Sequence, residues 1–140
     1  MSEFSVKVNI NASPETIWKI LTDASRWLEW NTTLTRIEGK IAPGEKVTVY
    51  VKANPGRGFP LRVSEFNPPK RMVWSDGSPL FFKGERTYTL TSKSDGSVDY
   101  EMREVFTGLM APLIARTIPD LQPSFNEFAA CLKKTAEGIS

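Results

Sequence analysis

The stretch Phe4-Ser5-Val6-Lys7-Val8-Asn9-Ile10-Asn11-Ala12-Ser13-Pro14-Glu15-Thr16-Ile17-Trp18 changes its period in the middle. Phe4, Val6, Val8 and Ile10 alternate with polar neighbours. That pattern predicts a strand, because successive strand side chains point to opposite faces. Ser13 then offers an N-cap and Pro14 a first helical residue whose missing N–H costs nothing. Glu15 suits the positive end of the helix dipole. Ile17, Ile20 and Leu21, with Trp18 beside them, give this short helix its apolar side. Beyond Leu21-Thr22-Asp23 comes a second, tryptophan-bearing turn, Trp27-Leu28-Glu29-Trp30-Asn31.

Working outward, six short strands follow. Thr35–Glu38 and Glu45–Lys52 flank the turn Ala42-Pro43-Gly44, and Val47, Val49 and Val51 share a face of the second. Phe59–Phe66 and Arg71–Ser75 flank Asn67-Pro68-Pro69-Lys70, a turn by composition, and Asp76-Gly77 reads as the next turn. Phe81–Thr91 and Val98–Phe106 form the longest hairpin, closed around Asp95-Gly96. The C-terminal part changes period again. Leu121, Phe125, Phe128, Leu132 and Ala136 recur at helical intervals, one face of an amphipathic helix. Met110–Ile118 reads as an earlier helical segment, separated by a break near Pro119, with Asp120 or Leu121 opening the final helix. The expected order is strand, two short helices, six strands and a long helix. That is an α+β fold with one antiparallel sheet.

Composition excludes several chemistries. The 140 residues, read as a single domain over 1–140, are 40% hydrophobic and 24% charged, with a formal net charge of +2. That charge is too small for a nucleic-acid partner, and the basic pairs Lys70-Arg71 and Lys133-Lys134 read as solvated surface. With no histidine and only Cys131, neither an ordinary zinc or iron site nor a Ser-His-Asp or Cys-His arrangement is possible. Asp76, Asp95 and Asp99 sit in unrelated turns, so no calcium site is expected; no metal and no cofactor are. The two glycines of Asn54-Pro55-Gly56-Arg57-Gly58 lack the context of a phosphate cradle. The lone cysteine cannot form an internal disulfide and reads as a small buried hydrophobe. The N-terminus shows no signal-peptide pattern, and no apolar run approaches the ~18 residues of a membrane span. The expectation is a cytoplasmic protein, monomer or homodimer, with an edge strand at Phe59–Phe66 or Val47–Val51 available for pairing.

The opening is joined by Asn67-Pro68-Pro69 ahead of the Trp74 strand and by Gly84-Glu85-Arg86-Thr87-Tyr88-Thr89-Leu90. Glu104-Val105-Phe106-Thr107-Gly108 and Leu132-Lys133-Lys134-Thr135-Ala136-Glu137 follow. In this order they resemble the START-like (SRPBCC, helix-grip) superfamily, in its polyketide cyclase/dehydrase and lipid-transport branch, over nearly the whole chain. The resemblance implies a curved antiparallel sheet wrapped around a long C-terminal helix, with a ligand cavity between them. It implies no particular reaction, since fold is not function.

The long hairpin carries the sharpest functional signal. Phe82, Gly84, Arg86, Tyr88 and Leu90 share one strand face, and Val98, Tyr100, Met102, Glu104 and Phe106 share one face of the next. Both sets hold the larger apolar residues and are expected to point inwards. If Tyr88 pairs with Met102, Arg86 falls opposite Glu104, within reach of a cross-strand ion pair on an otherwise apolar face. Two readings stand open. One is a structural pair closing an end of the cavity or reaching solvent at its rim. The other is a polar anchor, with Arg86 binding a carboxylate, enolate or phenolate of a ligand. Trp30, Trp74, Phe82, Tyr88, Met102 and Phe106 are the expected walls, Phe59 a guard at the mouth, and Leu113, Ile114 and Ile118 a lid. Three functions remain in competition. The first is binding of an apolar aromatic, polyketide- or lipid-like small molecule. The second is a cyclase or dehydratase in which Glu104, its pKa shifted by burial, moves protons with Tyr88 or Tyr100 as donor. The third is a protein-interaction module whose cavity is filled by its own aromatic side chains.

Overall fold

The computed structural model describes residues 2–52, 55–78, 80–114, 116 and 120–139. Strand β1 (Ser2–Ile10) ends at Asn11, and Ser13 caps helix α1 (Pro14–Thr22) by accepting a hydrogen bond from the Thr16 backbone N–H at 3.1 Å. A 3-10 turn (Ala24–Arg26) leads into one turn of helix, α2 (Trp27–Trp30). The Trp27 indole N–H donates to the Leu21 carbonyl at 3.0 Å, which locks this turn beneath α1. Six strands follow: β2 (Leu34–Gly39), β3 (Lys46–Val51), β4 (Phe59–Asn67), β5 (Arg71–Ser78), β6 (Phe82–Ser92) and β7 (Val98–Thr107). One helical turn, α3 (Ala111–Ile114), precedes the long helix α4 (Gln122–Ile139). Ile118 and Pro119, on which the expected break depends, lie outside the described residues.

The seven strands form one sheet in the order β1-β7-β6-β5-β4-β3-β2, and every neighbouring pair is antiparallel. It curls into a half-barrel that grips α4, the helix-grip arrangement. The core lies between them. Phe125, Phe128, Ala129, Leu132 and Ala136 of α4 are buried against Trp74, Tyr88, Tyr100 and Met102 of the sheet. This is the face that the helical spacing marked in the sequence.

Two expectations are corrected. Asp76-Gly77 is not a turn: β5 continues through it, pairing Gly77 with Lys83 and Ser78 with Phe82. Gly77 makes this possible. Its φ is +92°, and a Cβ there would lie 2.2 Å from the Phe82 carbonyl oxygen, so only glycine lets the two backbones pair at this point. Nor are Val47–Val51 and Phe59–Phe66 edges, because β2 pairs with β3 and β4 lies between β3 and β5. The edges of the sheet are β1 and β2.

Candidate functional site

The inward face of the sheet is ordered in rows by its register. Trp74 of β5 stands opposite Arg86 of β6, Arg86 opposite Glu104 of β7, and Glu104 opposite Phe4 of β1. The next row is Met72, Tyr88, Met102 and Val6. Tyr88 does pair with Met102, and Arg86 meets Glu104: Arg86 Nη2 donates to Glu104 Oε2 at 3.2 Å. The two side chains are only 20% and 9% exposed, so the charges sit in an apolar setting that is tolerable only because they are paired. From the helix side, the Arg86 guanidinium stacks over the Phe125 ring, 4.9 Å from its centre.

Around this row the side chains form an aromatic cage centred on Phe128. Its ring lies 5.4–6.4 Å from those of Trp27, Trp30, Tyr88 and Tyr100. Trp74 stacks on Trp27 at 5.5 Å and leans on Tyr88 at 5.1 Å. Burial pushes the Tyr88 hydroxyl up to about 12, against the opposing pull of the Arg86 charge. Burial likewise raises Tyr100, with Tyr88 adding to the effect. Both phenols therefore stay protonated at neutral pH, able to give a hydrogen bond.

The interior polar groups are incompletely paired. Among the described residues, the buried Trp30 Nε1, Asn31 Nδ2, Trp74 Nε1, Arg86 Nε, Tyr88 hydroxyl and Tyr100 hydroxyl have no hydrogen-bond partner. Every one of them carries a hydrogen to donate. An unpaired buried group costs roughly 1–3 kcal/mol, a heavy burden for a fold whose net stability is about 5–15 kcal/mol. Such a concentration in one core calls for acceptors beyond its own side chains, supplied by ordered water or by a ligand.

Between this row and the first turns of α4 lies a cavity of about 50 Å³. Trp27, Trp74, Arg86 and Met102 form its floor; Leu121, just before α4, and Ser124, Phe125 and Phe128 of α4 cover it; Thr33, Leu34, Val49 and Val51 close the side towards β2 and β3. Of the residues singled out in the sequence, Trp74, Arg86 and Met102 line it. Tyr88 and Trp30 stand behind that lining, in the cage around Phe128. Glu104 is reached through Arg86. Phe82 and Phe106 stack on each other at 5.6 Å, further along the same face. Phe59 is half-buried on β4 opposite Val49, under the Arg57 guanidinium. Leu113 and Ile114 are not part of the lining, and Leu113 is 58% exposed. Ile118 is outside the described residues. The helix residues Phe125 and Phe128 were visible in the sequence only as a core face, with nothing to separate a cavity wall from solid packing.

Among the described residues no three His, Cys, Asp or Glu side chains are grouped to hold a metal ion, and no helix is long and apolar enough to cross a membrane.

Three solved structures show how widely this architecture is shared. The Aha1 dimer from Colwellia psychrerythraea matches with a TM-score of 0.71 at 19% identity, covering 98% of this chain and 97% of that one. Norcoclaurine synthase from Thalictrum flavum matches with a TM-score of 0.71 at 11% identity, covering 96% and 92%. StfQ, a di-domain aromatase/cyclase of the steffimycin biosynthetic pathway, matches with a TM-score of 0.69 at 12% identity; the match covers 98% of this chain and 51% of StfQ. At such identities the likeness establishes the fold and nothing finer. No curated protein sequence matches the chain significantly. The model of one sequence family, described as polyketide cyclase / dehydrase and lipid transport, matches residues 1–137. A match of that extent, on a half-barrel gripping its last helix, settles the affiliation: the chain belongs to the polyketide cyclase/dehydrase and lipid-transport family.

Proposed function

We propose that this protein binds an apolar small molecule between the sheet and α4, with the Arg86–Glu104 pair as the polar end of the site. The observation that carries this reading is the set of unpartnered donors in an aromatic interior, two of them on residues lining the cavity. A core built only for stability gains nothing from donors without acceptors, whereas a binding site needs a few polar groups among apolar walls. The family's description, which includes lipid transport, agrees with an apolar ligand. The cavity of about 50 Å³ is small as it stands. Drug-sized ligands occupy roughly 300–1,000 Å³, so binding requires the first turns of α4 to move outwards.

A second reading rests on two other observations: the small cavity, and an exposed apolar patch. Leu109 and Met110 donate backbone hydrogen bonds to the carbonyls of Leu80 and Phe81, which ties the two loops side by side. Leu80, Phe81, Leu109, Met110 and Leu113 are all exposed there. Apolar patches of this kind mark contact surfaces, as an interaction module would need. Native mass spectrometry of the purified protein, with denaturing extraction, separates the two readings. A co-purifying apolar molecule, or saturable quenching of tryptophan fluorescence by Nile red, supports the cavity reading. Absence of both moves the interaction module to first place.

A further inference from the structure

The polar groups of the cavity differ from one another in kind, and the difference selects a ligand. Trp74 and Arg86 stand opposite each other across β5 and β6, and both line the cavity. Trp74 Nε1 and Arg86 Nε are buried and unpartnered. An indole N–H and a guanidinium N–H donate and cannot accept. The acceptors beside them are Glu104, whose Oε2 takes Arg86 Nη2, and the Tyr88 hydroxyl, which interacts with the same guanidinium. The unmet need at this point of the cavity is therefore for acceptor atoms.

Charge narrows the choice further. Arg86 and Glu104 already cancel, so the row is neutral as it stands. An anionic head would add an uncompensated charge beside the Glu104 carboxylate, in a largely buried site. A cationic head would meet two donors and a carboxylate whose charge Arg86 already balances. An uncharged oxygen acceptor avoids both penalties. Resting on the ligand-binding reading above, we infer that the ligand presents a neutral carbonyl oxygen (ketone, ester or amide) to Trp74 Nε1 and Arg86 Nε, with its apolar body lying under α4. The heads weighed for Arg86 in the sequence were a carboxylate, an enolate and a phenolate; a neutral acceptor would replace all three.

Three naphthalenes of nearly equal shape test the inference by tryptophan quenching at pH 7: 2-acetylnaphthalene, 2-isopropenylnaphthalene and 2-naphthoate. The ketone is expected to bind at least about tenfold more tightly than the hydrocarbon, a difference of about 1.4 kcal/mol, and more tightly than the carboxylate. Trp74→Phe removes the indole N–H, and Arg86→Lys keeps a cation for Glu104 while removing Nε. Either substitution should erase most of the ketone's advantage, read as the ratio of ketone to hydrocarbon affinity within the same variant. With two variants, failure of one to fold leaves the other to decide. Equal binding of ketone and hydrocarbon overturns the carbonyl inference while leaving the apolar cavity intact. Tightest binding by the carboxylate overturns the charge argument. If none of the three binds, the ligand-binding reading falls and takes this inference with it.

Discussion

At the scale of single residues, the consequential pair is Arg86 and Glu104, because its two members fail differently when separated. A carboxylate left alone takes up a proton and becomes neutral, whereas a guanidinium cannot lose its charge near neutral pH. Glu104→Gln should therefore destabilise more than Arg86→Met. Removing one member of a fully buried pair costs about 3–5 kcal/mol, and the partial solvent access of Arg86 reduces this to about 2–4 kcal/mol for Glu104→Gln. Urea unfolding at pH 7 measures both, and equal losses would remove the argument from asymmetry. The pairing was legible only in part: period-two alternation puts Arg86 and Glu104 on one face, but a two-residue turn at Asp95-Gly96 would have set Arg86 opposite Val105, and it is the Tyr88–Met102 register that brings the pair together. Trp74's place opposite Arg86 was not legible. It depends on the β5–β6 register, and a two-residue turn at Asp76-Gly77 would have paired Ser75 with Ser78 instead of with Glu85.

At the scale of elements, Gly77 shows why that turn was misplaced. The dipeptide Asp-Gly is a strong turn signal, and here its glycine serves a strand. A Cβ at Gly77 would meet the Phe82 carbonyl at 2.2 Å, and the φ of +92° adds strain of about 1–3 kcal/mol for any other residue. Gly96, in the hairpin turn, also has a positive φ, but nothing lies within 4 Å of its Cβ position. Gly77→Ala should thus lower the melting temperature clearly more than Gly96→Ala. Calorimetry on both variants compares the cost of conformation alone with conformation plus collision, and similar losses would mean that the strands part at little cost. The same neighbourhood controls the Trp74–Arg86 row, so Gly77→Ala is also expected to disturb the cavity floor. By contrast, the opening strand and helix were fully legible. Alternation, the Ser13 cap and Pro14 are local signals, and nothing distant overrides them.

At the scale of the whole molecule, the question is which side of α4 opens. On the β1 side the helix is held by Gln122 Nε2 to the Ser5 carbonyl at 2.7 Å and Lys133 Nζ to the Asn9 carbonyl at 2.7 Å. The Asn11 backbone N–H donates to Glu137 Oε2 at 2.9 Å, and α1 packs against the helix as well. On the β2–β3 side, Thr32 Oγ1 and Lys52 Nζ both donate to Glu127 Oε2. Those three residues adjoin Thr33, Val51 and Phe128 in sequence, so this tie runs along the rim of the cavity. It is solvent-exposed, and pairs of that kind contribute about 0–1 kcal/mol, enough to close a seam and too little to hold it shut. Hydrogen bonding from Thr32, then Lys52, holds the Glu127 carboxyl below its ordinary value. A depressed folded pKa means that the tie's contribution is present above the ordinary carboxylate range and is lost as pH falls through the folded value. Glu127→Gln should reproduce at pH 7 the loosening that acid brings to the wild type. Hydrogen exchange over Gln122–Phe128 should speed up, and Nile red should enter faster, while the melting temperature barely changes. If exchange instead rises along β1, or uptake is unaltered by the substitution, the β2–β3 seam is not the side that opens.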